Sequence, residues 1–323
     1  MTPQEPKIAI PWLEALNSDP VPVLLQSAPL HIRYQLYRDI LEDFDSDTAQ
    51  AFRKNLRKQK DRRMLLKSQD ESGRWPIAGK TSGLRPGQVE TLHYIRQLEV
   101  LQELLDLQVT HKQEKALLGM REVIRYLDSD HDELRSHQLS QAIYLSIRFD
   151  LDSNPIIKQL VWSLLKNQNA DGGWSSLPGE TSCLWTTLHL LWVMGHSEQF
   201  KSNRSLKKGL DYVTSRLLLA DESSLLPGMQ AWDTLLSGHT GLSTLHGGTL
   251  RYLETVQLMQ PDTRDRANEK LLDWLLSIQL KSSLWPAIVG RDKQGNHEVT
   301  LRVLKVVKHF QTLRINETNR YDD

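Results

Sequence analysis

The 323-residue chain contains one cysteine, Cys183. That rules out an internal disulfide and any all-cysteine metal cage, and it fits a reducing compartment. Charge of one sign is not in excess: 40 Lys and Arg meet 40 Asp and Glu, so no general electrostatic pull toward nucleic acid exists. No stretch approaches the ~20 uninterrupted apolar residues of a membrane-spanning helix. Residues 1–20 also lack a basic segment followed by an apolar one, so we expect a cytoplasmic protein with no membrane span and no nucleic-acid partner. Strand signals are scarce, and there is neither a phosphate-cradling glycine loop nor a His-Glu-x-x-His pair. Two acidic runs fail as calcium loops. The run from Asp43 has Thr48 where a glycine is needed and Lys54 at the closing position, and the run from Asp128 closes on Leu139. The basic run from Arg53 to Arg63 reads as a solvated helix face.

What the chain does have is tryptophan, nine of them, in a repeating context. Leu65-Leu66-Lys67-Ser68-Gln69 leads to Trp75, Leu164-Leu165-Lys166-Asn167-Gln168 to Trp174, and Leu275-Leu276-Ser277-Ile278-Gln279 to Trp285. The Gln-to-Trp spacing is six in every copy, and Thr91-Leu92, Thr187-Leu188 and Thr300-Leu301 follow. Each copy (near 65–105, 164–195 and 275–310) predicts helix, glycine-containing turn, helix. Residues 92, 95, 98, 101, 104 and 105 form a helical apolar stripe, and Gly73 or Gly172-Gly173 reverses the chain. The copies lie about 100 residues apart, room for one more hairpin between each. Segments 112–128 with 134–150, and 204–220 with 246–259, supply these, and Ser153-Asn154-Pro155 reads as a helix start. An N-terminal pair, 21–42 and 45–68, completes about six hairpins.

Hairpins of this kind bury their apolar faces only by stacking on neighbours. Six can close into a ring. The expected fold is therefore all-α: a single α/α toroid over residues 1–323, with inner and outer helices, a central cavity and a polar, frayed tail from about 314. Gln69, Gln168 and Gln279 are expected to satisfy orphan backbone groups at helix ends, and Trp75, Trp174 and Trp285 to cover the turns.

These Gln-x5-Trp units, ending in Gly-Arg-Trp or Gly-Gly-Trp, resemble the QW repeat of squalene and oxidosqualene cyclases and the related repeat of protein prenyltransferase β subunits. The resemblance spans roughly 60–312, and the chain as a whole looks most like single-domain bacterial members of that superfamily. It implies an isoprenoid-handling protein, related to terpene cyclases, that binds or cyclises a long apolar molecule in the central cavity. It also implies that functional residues gather at the rim where the inner helices begin, since their N-termini aim partial positive charge at the cavity mouth. The candidates there are Glu90, Glu180, His297 and Glu298 for acid–base work, with His137 and His246 nearby. The acidic Asp-x-Asp-Asp-Thr run of protonating cyclases is missing. Glu90 before Thr91 matches only its last Asp, and Val89 stands where the proton donor would be. The Asp-Asp-x-x-Asp of ionising terpene synthases is missing too.

The prenyltransferase side of the resemblance implies an alternative, a zinc-dependent subunit working with a partner chain. Cys183, with His246 or His297, would hold the metal; the Asp expected two residues before the cysteine is Thr181 here, with Glu180 beside it. No cofactor is certain from the sequence, and zinc is the only candidate. A third alternative is a non-catalytic lipid-binding or scaffold ring, and a sugar-active ring stands outside these three. Trp185, Trp192, Trp232, Tyr94, His93 and His189 could wall a π-rich cavity suited to an isoprenoid or a carbocation. The plain alternative for each is core packing.

Overall fold

The computed structural model describes residues 11–321, apart from 44, 78, 80, 130–135, 178, 218–230, 241–242 and 261–265; for 137, 231, 237–240, 243–246 and 317–321 it describes the backbone alone. The fold is an all-α toroid. Its helices are α1 (Val21–Ser27), α2 (Leu30–Gln35, continued by a π-helical turn Leu36–Ile40), α3 (Asp47–Lys58), α4 (Lys60–Ser68), α5 (Pro86–Asp106), α6 (Glu114–Asp128), α7 (Ser136–Arg148), α8 (Pro155–Lys166), α9 (Leu184–Gly195), α10 (Arg204–Ser215), α11 (Gly248–Met259), α12 (Arg266–Ser277) and α13 (His297–Tyr321). A small antiparallel hairpin, β1 (Ser237–Thr240) and β2 (Ser243–His246), precedes α11, where the sequence pattern suggested helix from 246.

Helix boundaries follow local chemistry. Asn154 caps α8 by accepting from Ile156 N–H at 2.9 Å, with Pro155 at the first helical position. The stretch 21–42 breaks before Pro29, which disfavours helical backbone at the residue ahead of it. The stretch 45–68 breaks at Gln59, whose extended backbone ends α3 and starts α4. At the other end, the tail expected to fray from 314 stays helical to Tyr321, because Leu313 and Ile315 still pack on the core.

Six helices line the inside. α5 packs on α7, α7 on α9, α9 on α11, α11 on α13, and α13 on α2 with its π turn. Arg38 closes the circle by donating from Nη1 to Gln108 Oε1, just beyond α5, at 2.8 Å. The inner helices all run the same way. Tyr94 and Gln102 of α5 meet Gln138 and Gln141 of α7 in rising order, and Gln35 and Asp39 meet Lys305 and Lys308 likewise. Of the outer members, α1 and α4 pack on the inner helix that follows them, whereas α6, α8, α10 and α12 pack on the one before, α5, α7, α9 and α11, with α6 touching α7 as well. An inner helix is covered on both sides, which is why α9 (LWTTLHLLWVMG) is apolar nearly all round and almost wholly buried.

The glutamine–tryptophan units form one hydrogen-bond pattern three times. Gln69, Gln168 and Gln279 donate from Nε2 to the carbonyl four residues on (Gly73, Gly172 and Ser283, 2.7–2.9 Å). The same nitrogen donates to the start of the next outer segment (Lys115, Ser205 and Ser18 O, 2.7–2.8 Å). Trp75, Trp174 and Trp285 donate from the indole to the carbonyl ten residues back, each at 2.7 Å. Glycines in the neighbouring outer helices make room for the rings. A Cβ at Gly119 would sit 2.3 Å from the Trp75 ring, and one at Gly209 2.5 Å from Trp174.

The threonine landmark divides. Thr187 and Thr300 accept from the backbone N–H of Trp174 and Trp285 at 2.8 and 3.0 Å. Thr91 instead bonds Gly87 O and the Tyr126 hydroxyl. Gln97, with its amide in the hydrogen-bonding orientation, accepts from Trp75 N–H at 2.9 Å in its place.

Candidate functional site at the ring centre

The inward face of α9 carries an aromatic stripe. Trp185, His189, Trp192 and His196 follow one another at spacings of four, three and four, which puts them on one side of the helix. Trp232 meets Trp185 edge-on at 4.9 Å between ring centres. His189 stacks toward Trp192 at 6.2 Å. Tyr144 of α7 lies against Trp192 at 4.7 Å and edge-on to His196 at 5.3 Å, and His196 sits 4.5 Å from Trp192.

Beside this stripe lies a belt of charge. Arg251 of α11 spreads its guanidinium 3.6 Å over the Trp192 ring. Glu254, one turn on, takes two bonds from Arg302 of α13 at 2.6 and 2.8 Å, and Arg302 also donates to Leu235 O at 3.1 Å. Lys305 reaches Asp39 at 2.7 Å.

Burial alone would raise the Asp39 carboxyl, but the hydrogen bond from Arg38 and the charge of Lys305 hold it down to about 2. Glu254 is likewise kept ionised against burial, chiefly by Arg302. Asp106, the last residue of α5, behaves oppositely: desolvation, then the negative charge of Glu298, push it up to about 7. His196 is pushed down to about 4 by burial, so it is neutral at pH 7; its Nδ1 lies 2.8 Å from Trp192 O. A neutral ring donates through Nδ1–H there and keeps its lone pair on Nε2.

The residues singled out from sequence fall into several places. Trp185, His189, Trp192 and Trp232 belong to the stripe. Glu298 shares the centre with Asp106 and Arg302 through its charge. Glu90 does not come near them. It pairs with Arg74 at 3.0 Å and Arg125 at 3.7 Å, and the hydrogen bond from Arg74 holds its carboxyl below the ordinary range. His93, one turn on in α5, is half-buried, and its Nδ1 has no hydrogen-bond partner. Tyr94 is core: it stacks on Tyr126 at 4.4 Å and donates to Gln138 O. Glu180 is exposed in the loop before α9. The side chains of His137 and His246 lie outside the described residues.

Of the zinc candidates Cys183, His246 and His297, the His246 side chain lies outside the described residues. His297 Nε2 lies 3.0 Å from Ser27 Oγ of α1, while half-buried Cys183 opens α9, which packs on other helices. No three described His, Cys, Asp or Glu side chains come close enough together to hold a metal ion.

Tyr144, His196, Arg251, Glu254, Arg302, Lys305 and Asp106 lie away from the rim stretches to which the sequence pattern points. The signal that could have found several of them is a polar pair three residues apart on an otherwise apolar helix: Arg251 with Glu254 in α11, and Arg302 with Lys305 in α13.

No family model matches the sequence, and no curated protein matches it. Among solved structures, a polysaccharide lyase is similar at 12% identity and TM-score 0.47, covering 89% of each chain. The type II terpene cyclase MstE from Scytonema is similar at 11% identity and TM-score 0.31, covering 80% of this chain and 99% of that one. A variant of that cyclase in complex with its substrate geranylgeranyl dihydroxybenzoate gives 12% and 0.30, covering 80% of this chain and 97% of that one. No described helix is long and apolar enough to cross a membrane.

Proposed function

We propose that the chain is an isoprenoid-binding toroid, with a long apolar molecule lying at the ring centre along α9. The observation that carries this reading is the stripe Trp185, His189, Trp192 and His196, broadened by Trp232 and Tyr144. Methyl-branched polyene chains bind such surfaces by burying area against the rings, about 25 cal/mol for each Å² removed from water.

The reading is one of holding a guest, not of cyclising it. Protonating an alkene demands a strong, protonated carboxylic acid. Glu90 is committed to Arg74, and Asp106, raised to about 7, is a weak donor because burial disfavours its anion.

The test is a titration of the purified protein with geranylgeraniol, read by tryptophan fluorescence. We expect saturable quenching in the wild type and binding weakened at least ~10-fold in Trp192→Ala, which removes a central ring. No saturable response to geranylgeraniol or to squalene would sink the reading.

One observation favours a second reading, a sugar-active ring. Asp106, raised to about 7, is a group that acid–base chemistry near neutrality would use. Saturable binding of an oligosaccharide with no response to isoprenoids would favour it.

A further inference from the structure

Arg251 is a buried cation of the ring centre that lacks a direct hydrogen bond among the described residues. The residue is 6% exposed, yet neither Nε nor Nη1 has a described hydrogen-bond partner. The nearest carboxylate, Glu254, stands 3.7 Å from Nε, beyond hydrogen-bonding range, because its two oxygens are engaged by Arg302. Arg302 shares that neighbourhood and has its partners in full: two carboxylate bonds and the Leu235 carbonyl. Arg38 is paired with Asp39 and Arg74 with Glu90 and Glu122, whereas Arg33 and Arg96 each leave only Nε buried without a hydrogen bond among the described residues. A buried donor left unmade costs the fold on the order of 1–3 kcal/mol, more when charged. Arg251 stays charged at neutral pH even though burial pulls it down to about 10.

The surrounding groups set the charge of what would complete it. Arg251 and Arg302 carry two positive charges against one on Glu254. Farther off, Glu298 acts on Arg251 and Arg148 acts on His196, while Lys305, which acts on Glu254, shares the single charge of Asp39 with Arg38. Tyr144, raised by burial, and His196, lowered by it, are both neutral. The Arg251 guanidinium keeps its positive charge against the face of Trp192.

We infer that Arg251 is the receptor for a single carboxylate, so that the guest of the ring is an acid with an apolar or stackable body lying on Trp192. The body's identity as an isoprenoid rests on the reading above; the carboxylate does not.

The experiment compares farnesoic acid, farnesol, farnesyl diphosphate and glucuronate on the wild type and on Arg251→Met, by calorimetric titration. Glu254 keeps both of its bonds from Arg302 when Arg251 is removed, so the variant should melt no lower than the wild type without ligand. Arg251→Lys, which keeps the charge but not the guanidinium plane, is a second variant should the first fail to fold.

The expected result is farnesoic acid binding at least ~10-fold tighter than farnesol, a preference lost in Arg251→Met and reduced in Arg251→Lys. Equal affinity for acid and alcohol overturns the carboxylate receptor and leaves the isoprenoid reading standing. Glucuronate binding that needs Arg251, without isoprenoid binding, keeps the receptor and removes the isoprenoid. A stronger response to the diphosphate overturns the single charge, and no binding of any probe overturns both.

Discussion

Ser283 occupies the place that Gly73 and Gly172 hold in the other two copies, four residues after the glutamine, and adopts the same left-handed backbone: φ is 67° against 93° and 91°. A side chain there is strained, and only glycine enters that region freely. We expect Ser283→Gly to stabilise the protein by about 0.5–1 kcal/mol. Gly172→Ala should destabilise it by more, since a Cβ there would meet Lys208 O at 2.8 Å. Urea midpoints of the two variants check both signs, and a loss of stability in Ser283→Gly contradicts the account. The glutamines and tryptophans were legible because one repeated spacing carries one repeated hydrogen-bond pattern. Thr91 shows where reading residue types stops: it stands in register with Thr187 and Thr300, yet Gln97 meets the Trp75 amide. A string of letters does not tell which of two polar side chains on one helix turns inward.

Among elements, α5 and α9 differ in what their ends do. The apolar all-round pattern of α9 marks it as covered on both sides, and its length and start could be read from the sequence. The role of the end of α5 could not. Asp106 looks like any acid at a helix terminus; desolvation inside the ring, and then the approach of Glu298 from far away in the chain, make it unusual. The negative end of the helix also disfavours its ionised form. Its carboxyl is raised from 3.8 to about 7, so the stability it contributes is full below pH 3.8 and is lost as pH rises through 7. Asp106→Asn should therefore melt higher than the wild type at pH 8 and close to it at pH 4. Because the side chain keeps contact with solvent, the gain is screened to about 1 kcal/mol, roughly 2 °C. Melting curves with the same offset at both pH values would count against the shift. The break of 45–68 into α3 and α4 was equally hidden, since no proline or glycine marks Gln59.

At the scale of the whole molecule, the toroid follows from three copies and the room between them, whereas its closure rests on bonds that no pattern announces. Two seams hold it. Arg38 reaches Gln108 on one side, and on the other Gln279 bonds Ser18 O while Asn17 bonds Leu276 O. Gln279→Ala removes the second seam's amide and leaves carbonyls unmet, at a cost of about 1–3 kcal/mol. Hydrogen exchange should then speed up in α1 and the turn before it, while α6 and α8 keep their protection. Uniform acceleration, or none, would show that the seam is not a local fastening.

Because the six inner helices share one direction, their peptide dipoles add along the axis instead of cancelling as in an up-and-down bundle. The outer helices run back the other way and cancel much of this field at a distance, so an electrically neutral molecule need not look polar from outside. Toward the axis, the end where the inner helices begin is electropositive and the end where they finish is electronegative. A guest with one ionised end held there would take a single orientation.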